Sequence, residues 1–293
     1  MELDNDQSAA PVAILAGNGQ LPFEIARGLK SRGVPVVMIG LKGEAEAELE
    51  DFTHEFIEWE QIGRLFKVLE KHKVKRLTLA GGVVGRPELK LRKMDFGAVR
   101  TLPGLLSVLL AGDNSILSGV IGVFEKRGYN VCSIAELAPE LLATAGPNTS
   151  LKPNRRELDR LLEGVSVTRA LGPYDVGQAC VVIGKRAVAV EGVEGTDGML
   201  RRIEELRLNG RLPNGKTGVL VKCTKPTQDE RADLPTIGPQ TVENAHRAML
   251  CGIGIEAGKS IVIERDKTFQ LAKQLGIFVY GIDEDQIRSA GER

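Results

Sequence analysis

The densest group of side chains that could do chemistry lies in residues 222–239, whose sequence is KCTKPTQDERADLPTIGP. Basic side chains alternate there with carboxylates and an amide, and Pro226 and Pro235 stiffen the segment. Lysine and arginine offset phosphate charge, while carboxylates hold Mg²⁺ or position a water molecule. Such a polar segment favours a binding or catalytic loop over a solvent-exposed turn. The candidates are Lys222, Lys225, Gln228, Asp229, Arg231 and Asp233.

Two further carboxylate segments lie outside this loop. Residues 191–198, EGVEGTDG, join a predicted strand to a predicted helix, where α/β proteins usually carry their chemistry. Glu191, Thr196 and Asp197 are therefore candidates. An alternative interpretation places Asp197 in the first turn of a helix that Thr196 caps. Glu256 is a third and weaker candidate.

A glycine turn near the N-terminus is a candidate anion site. Residues 17–22, GNGQLP, follow a short apolar run and precede a predicted helix, so free N–H groups could face a phosphate. The motif is not a complete G-x-G-x-x-G, because Pro22 stands where the third glycine belongs. Phosphate or nucleotide contact and a simple tight turn both remain open.

Residues 258–260, GKS, resemble the end of a Walker A loop. The required earlier glycine is replaced by Ile253, and the segment is predicted to enter a strand rather than a helix. The sequence therefore argues against a P-loop.

Composition excludes several classes of protein. The 39 basic and 39 acidic side chains balance, so the basic excess of a nucleic-acid binder is missing. Four scattered cysteines form no C-x-x-C, and three histidines form no H-E-x-x-H, which argues against zinc sites. A bound metal is expected to use oxygen ligands. The start of the chain is acidic rather than like a signal peptide, and the most apolar stretch, 102–124, is interrupted at 112–115. We therefore expect a cytoplasmic protein, soluble or at most peripheral.

The elements that must position these residues follow an alternating strand and helix pattern. Short apolar runs such as 12–16 and 76–80 predict buried strands, and amphipathic segments such as 62–71 predict helices between them. The acidic stretch 43–60 is interpreted as a solvated face. The predicted fold is α/β, with an N-terminal Rossmann-like parallel sheet and a C-terminal mixed α/β domain. The expected boundaries are 1–145, a linker region at 146–173 and 174–293.

Together these motifs resemble one family. Besides GNGQLP, they are GGVVGRP at 81–87, GDN at 112–114, EGTDGML at 194–200, KPTQDERADLPTIGPQTVE at 225–243 and GIGIEAGKS at 252–260. The chain resembles the UDP-2,3-diacylglucosamine pyrophosphatases of the LpxI type from about residue 12 to residue 282. Asn114 departs from the aspartate expected there.

The resemblance implies Mg²⁺-dependent hydrolysis of the diphosphate of UDP-2,3-diacylglucosamine in lipid A biosynthesis, with water attacking the phosphorus on the sugar side. The products are UMP and 2,3-diacylglucosamine 1-phosphate, called lipid X. It also implies two α/β domains with the substrate between them. The essential aspartate is Asp233 or Asp229, and we favour Asp233.

The remaining site roles follow from the same resemblance. The expected ligands of Mg²⁺, or of another hard divalent cation, are Asp233, Asp197 and Glu191. The expected substrate-binding residues are Gly17, Gly19, Gln20, Arg86, Asp113, Thr196, Lys222, Lys225, Gln228 and Arg231. The expected partner is a lipid-linked nucleotide sugar, with transient contact at the inner membrane surface and no nucleic acid. A homodimer is left open.

Two other classes of protein stay open. One is a non-catalytic nucleotide-sugar or phosphate-binding regulatory module, which would bind the substrate without metal-dependent turnover. The other is an NAD(P)-dependent enzyme. That interpretation rests on the N-terminal half alone, and residues 40–42, GLK, stand where an acidic ribose ligand would be sought.

Overall fold

The computed structural model of the 293-residue chain describes residues 10–45, 49, 51–83, 113–225, 229–231 and 233–291. Its contacts divide the chain into two compact units, residues 1–139 and 140–293. Each unit contains its own β-sheet accompanied by helices, which confirms the predicted α/β class.

The sheet of the N-terminal unit has five parallel strands in the order β3-β2-β1-β4-β5. The strands are β1 Val12–Ala16, β2 Val36–Leu41, β3 Thr53–Ile57, β4 Arg76–Ala80 and β5 Asn130–Val131. The described helices are α1 Leu21–Ser31, α2 Ile62–Lys71, α3 Asp113–Glu125 and α4 Ile134–Leu137. The apolar β1 is buried along its whole length because it pairs with β2 on one side and β4 on the other. From β1 the chain adds β2 and β3 on one side of the sheet and then β4 and β5 on the other side, so the direction of strand addition reverses between β1 and β4.

Part of the acidic stretch 43–60 is a strand rather than only a solvated face. β3 pairs with β2 at the edge of the sheet, with Thr53 beside Val37 and Ile57 beside Leu41. Most of β3 is only half-buried or exposed, so an edge strand can carry charged side chains here. The sequence did not lead us to predict this strand, because the many acidic residues of 43–60 outweighed the short strand pattern within it.

The sheet of the C-terminal unit has six strands in the order β6-β13-β11-β9-β7-β8. These strands are β6 Gly146–Pro147, β7 Ala179–Ile183, β8 Arg186–Val190, β9 Val219–Lys222, β11 Gly252–Glu256 and β13 Phe278–Ile282. The central strands β9, β11 and β13 are parallel, whereas the pairs β6–β13, β7–β9 and β7–β8 are antiparallel. This confirms the predicted mixed sheet. A separate parallel pair joins β10 Thr236–Ile237 to β12 Ile261–Val262.

Helices of this unit contribute to two hydrophobic clusters, because alternate residues of a strand point to opposite faces of the sheet. The helices are α5 Arg155–Leu171, α6 Gly195–Leu208, α7 Pro239–Arg247, α8 Arg265–Gln274 and α9 Glu284–Gly291. Val181 of β7 packs in a cluster with residues of α6, α7 and α8. Its neighbour Val182 packs in another cluster with residues of α5 and α9. None of the helices in the described part of the chain is long and apolar enough to cross a bilayer.

Residues 146–173, predicted as a linker region, contain β6 and α5. A capping box between Asn154 and Glu157 starts α5, and Leu161 and Val165 are buried in the second cluster. Gly164 lies so close to β9 that a Cβ there would sit 2.4 Å from a methyl carbon of Val221. This segment is therefore a packed layer of the C-terminal unit.

Candidate functional site

The candidate site lies at one end of the C-terminal sheet. Lys222 is the last residue of β9, Glu256 is the last residue of β11, and Glu191 directly follows β8. β9 and β11 are parallel, and two antiparallel pairings bring β8 into the same direction. Their carboxyl ends therefore meet at one edge, which is where α/β sheets usually bind ligands.

Lys222 is the centre of the charges at this edge. The residue is only 6% exposed, and its Nζ donates a hydrogen bond of 3.0 Å to the carbonyl oxygen of Thr236. Burial lowers the pKa of Lys222 below its usual value, and the opposing charges of Glu191, Asp197 and Asp233 offset part of that decrease. A buried ammonium needs such counter-charges to stay ionised. We call Lys222, Glu191, Asp197 and Asp233 the carboxylate–lysine cluster.

Glu191 is held at both carboxylate oxygens. Its Oε2 accepts from the backbone N–H of Gln178 at 2.9 Å, and its Oε1 accepts from the hydroxyl of Thr196 at 2.6 Å. Its backbone lies against Gly177, where a Cβ would stand 2.3 Å from the carbonyl oxygen of Glu191. The Glu191 side chain is therefore fixed before any ligand binds.

Asp197 lies in the first turn of α6, and Thr196 does not cap that helix. The N-cap position is Glu194, and the Thr196 hydroxyl bonds to Glu191 instead. Asp197 accepts a 2.6 Å hydrogen bond from the side-chain amide of Asn244 on α7. The structure thus joins Thr196 to Glu191 and joins Asp197 to Asn244 of another helix.

The two candidate aspartates of the 222–239 loop have different surroundings. Asp229 makes a two-pronged ion pair with Arg231, with distances of 2.9 Å and 2.8 Å, and this pair lowers the pKa of Asp229. Burial raises the pKa of Asp233. The nearby charges of Lys225 and Lys222 oppose that rise. Asp229 is committed to a neighbouring guanidinium, and Asp233 belongs to the carboxylate–lysine cluster.

Lys225 is largely buried and forms an ion pair of 2.5 Å with Asp175. Asp175 follows the turn 172–174 and adopts a left-handed backbone, with φ of 52°. The sequence analysis missed Asp175 and Asn244, because each joins the site from another segment of the chain. In the sequence, the one signal for Asp175 was the preceding Gly172-Pro173 pair, which is typical of a turn.

The three predicted metal ligands, Asp233, Asp197 and Glu191, do not form a preformed metal site. Within the described residues, no three His, Cys, Asp or Glu side chains form a group that could hold a metal. The charges of the three carboxylates all act on Lys222, and both oxygens of Glu191 are engaged. A preformed three-carboxylate cage does not fit. A Mg²⁺ ion that binds one or two carboxylates together with substrate phosphates does fit this donor set.

The predicted anion site of the N-terminal unit lies where strand addition reverses. Asn18, after β1, and Gly82, after β4, exchange backbone hydrogen bonds of 2.7 Å and 2.9 Å. A Cβ at Gly17 would stand 2.3 Å from the carbonyl oxygen of Gly82, and Gly19 has φ of 95°. Gln20 stands at the N-cap position of α1, without a side-chain cap. The loops that follow β1 and β4 are thus joined to each other by backbone hydrogen bonds.

Three predicted substrate-binding residues cannot be placed. Arg86, Gln228 and the side chain of Asp113 lie outside the described residues.

Fold and site together define a two-unit α/β protein whose second unit gathers carboxylates around a buried lysine at its strand ends. Family models describe both units: the LpxI N-terminal domain matches residues 11–141, and the LpxI C-terminal domain matches residues 144–280. A curated relative, the UDP-2,3-diacylglucosamine pyrophosphatase LpxI of Caulobacter vibrioides, is 33% identical over 274 residues, covering 93% of this chain and 97% of the relative. The chain belongs to the LpxI family.

A solved structure, the holo form of a GalE-like L-threonine dehydrogenase from Cupriavidus necator, aligns with 96% of this chain and 88% of its own. Its TM-score is 0.31 at 12% identity, values too low to support an argument about function.

Proposed function

We propose that the chain is an enzyme of lipid A biosynthesis that hydrolyses the diphosphate of UDP-2,3-diacylglucosamine to UMP and 2,3-diacylglucosamine 1-phosphate. The observation that carries the proposal is the 33% identity to the Caulobacter pyrophosphatase over almost the full length of both chains. The carboxylate–lysine cluster supports it, because Asp197 and Asp233 lie in the segments 194–200 and 225–243 that carry the resemblance to the family.

Asp233 is the residue to which we assign the attacking water. Burial raises its pKa, which makes the ionised carboxylate a stronger proton acceptor, and the neighbouring lysine charges keep that carboxylate ionised. Glu191 and Asp197 add negative charge near Lys222 from the side of β8 and α6. In this scheme Asp233 accepts a proton from water that attacks the phosphorus on the sugar side.

Lys225 and Arg231 are assigned to the diphosphate. Each is already paired with a carboxylate, Lys225 with Asp175 and Arg231 with Asp229. A diphosphate oxygen can replace those partners, since a basic group offsets phosphate charge as it does carboxylate charge. Lys222 instead serves as the internal counter-ion of the carboxylates, since its Nζ is buried and bonded to Thr236.

Mg²⁺ belongs to the proposal as a cofactor that Asp233 or Asp197 would share with substrate phosphates. When bound, it would neutralise charge that develops on the phosphate oxygens. We also propose that the enzyme acts in the cytoplasm at the inner membrane surface, because the proposed substrate carries two acyl chains.

The test is hydrolysis by the purified chain. UMP release should require UDP-2,3-diacylglucosamine and Mg²⁺, should stop with a chelator, and should return when Mg²⁺ is restored. In ¹⁸O-labelled water the label should enter 2,3-diacylglucosamine 1-phosphate rather than UMP. Substrate binding without UMP release would instead support the regulatory-module alternative, and label in UMP would reverse the assigned point of attack.

A further inference from the structure

The segment 256–262, EAGKSIV, has no role in the proposed function, although its GKS invites comparison with a phosphate-binding loop. It leaves β11 at Glu256 and passes through β12 Ile261–Val262. Its start, middle and end each contact residues 224–237, the stretch that carries Asp229 and Asp233. The two segments come together only through the fold of the C-terminal unit.

The first contact holds the start of the loop. Glu256 is 4% exposed, and its Oε2 accepts both the backbone N–H of Thr224 at 3.0 Å and the Thr224 hydroxyl at 2.7 Å. Its other oxygen faces Arg169 of α5 at 3.4 Å. Both carboxylate oxygens of Glu256 are therefore engaged within the chain. Its position favours holding the segment that follows β9 over contacting a ligand.

The second contact holds the middle of the loop. The Nζ of Lys259 lies 2.5 Å from Oε1 of Glu230, the residue between Asp229 and Arg231. Backbone hydrogen bonds hold the turn that carries Lys259. The N–H of Gly258 donates to the carbonyl oxygen of Ala143, and the N–H of Ala143 donates to the carbonyl oxygen of Ser260.

The third contact holds the end of the loop. Ile261 donates a 2.8 Å backbone hydrogen bond to Pro235, and β12 pairs with β10 in parallel. Pro235 is two residues beyond Asp233. The start, the middle and the end of the loop are thus all attached to one short segment.

We infer that residues 256–262 are a loop clamp, and that Glu256 and Lys259 are positioning residues for the aspartates of residues 229–233. This inference rests on the proposed function for its kinetic consequences. Clamping places Asp233 beside Lys222 and holds that geometry while the substrate binds. Small displacements of a catalytic group lower kcat more than they change substrate affinity.

The ion pair between Lys259 and Glu230 gives the main test. We expect Lys259→Glu and Glu230→Lys each to lower kcat about tenfold with KM within about twofold. The double variant should restore kcat to within about threefold, because it rebuilds the pair with reversed charges. The control is Lys267→Glu, which breaks a similarly exposed 2.7 Å pair between α8 and its N-cap residue Glu264, away from residues 229–233, and should leave kcat unchanged.

Hydrogen exchange gives a readout that does not depend on activity. In substrate-free protein, Lys259→Glu should speed exchange of the amides at 229–234 about two- to fivefold, and the double variant should reverse this. Unchanged exchange and kcat in Lys259→Glu, or a double variant as slow as the singles, would overturn the clamp. A rise in KM alone would also overturn it, because Lys259 would then contact substrate.

Thr224 tests the other end of the clamp with a matched pair. Thr224→Val removes the hydroxyl donor while keeping the shape, and Thr224→Ser keeps the donor. We expect kcat to fall in Thr224→Val and to stay within about twofold in Thr224→Ser. Equal kcat in both variants contradicts the role of Glu256. Wild-type protein that releases no UMP rejects the proposed function alone, since the exchange comparison still decides the clamp.

Discussion

The two units of the chain prepare their strand ends in different ways. In the N-terminal unit the loops after β1 and β4 are shaped by glycines and joined by backbone hydrogen bonds between Asn18 and Gly82. In the C-terminal unit the corresponding edge is shaped by side-chain charge, with Lys222 among three carboxylates. The first arrangement is sensitive to added volume, and the second to changed charge.

This difference suggests a division of work. A backbone loop offers N–H groups to an anion without any titrating group. A cluster of charged side chains around a buried lysine can hold a water molecule and accept a proton. If the contrast holds, changes of charge should act mainly on the C-terminal edge and added volume mainly on the N-terminal edge.

Asp233→Asn tests the charge-based edge most directly. Removing the proton acceptor should lower kcat about a thousandfold. Asp229→Asn should lower it far less, because Asp229 is engaged by Arg231. UMP release under saturating substrate measures both. Equal losses would show that the two aspartates act as one unit, and full activity in Asp233→Asn would reject its role.

Lys222→Met removes the central charge while keeping a long apolar stem. Three carboxylates then lose their buried counter-ion, and we expect the free energy of unfolding to fall by about 3 kcal/mol. Urea unfolding at neutral pH measures the change. Lys267→Met is the control at an exposed lysine, expected within about 0.5 kcal/mol of wild type. A Lys222→Met protein as stable as wild type would contradict the assignment of Lys222 as counter-ion.

Gly17→Ala tests the backbone-based edge. The added Cβ would meet the Gly82 carbonyl oxygen at 2.3 Å, so the joined loops must separate. We expect a loss of about 2–3 kcal/mol. Gly19→Ala has open space around its Cβ and only the cost of positive φ, about 1 kcal/mol. Thermal unfolding compares them, and equal losses would argue against close contact between the loops.

Glu55→Gln tests an ordinary surface charge on β3. The ammonium of Lys71, 2.8 Å away, lowers the pKa of Glu55 below its usual 4.5. A lowered carboxyl pKa stabilises the fold above the unfolded-state pKa, and this stabilisation is lost as pH falls through the folded-state pKa. We therefore expect a loss of about 0.5 kcal/mol at pH 7 that disappears at a pH below the folded-state pKa. Urea unfolding at both pH values measures it, with Glu284→Gln as an exposed control; a loss that persists in acid would exclude the ion pair as its cause.

Much of the fold could be predicted from local pattern. The runs at β1, β4 and β7 are short and apolar, and the amphipathic spacing of 62–71 matched α2 residue for residue. β11 was not predicted, because two glycines in GIGIE hide a strand that is buried by its neighbours rather than by its own composition. Gly252 and Gly254 are explained by contact: a Cβ would meet Phe278 at 2.3 Å and Leu161 at 2.5 Å.

The candidate site could be predicted as a set of residues but not as an arrangement. The sequence selected all four members of the cluster, Glu191, Asp197, Lys222 and Asp233. It assigned Lys222 to the diphosphate, whereas we propose that Lys222 is the internal counter-ion of the carboxylates. Its burial and its bond to Thr236 depend on where β10 lies, and nothing near position 222 encodes that position.

The sequence alone determined the α/β class, the family and the segments that carry charge, because periodicity and motifs are local properties of a chain. The tertiary structure decided which charges face one another. The pairs Asp197–Asn244, Lys225–Asp175 and Glu256–Thr224 join residues 32 or more positions apart. The reason is that the free energy of a buried charge depends on its partners and on its distance from water, and both are fixed only when separate segments pack together.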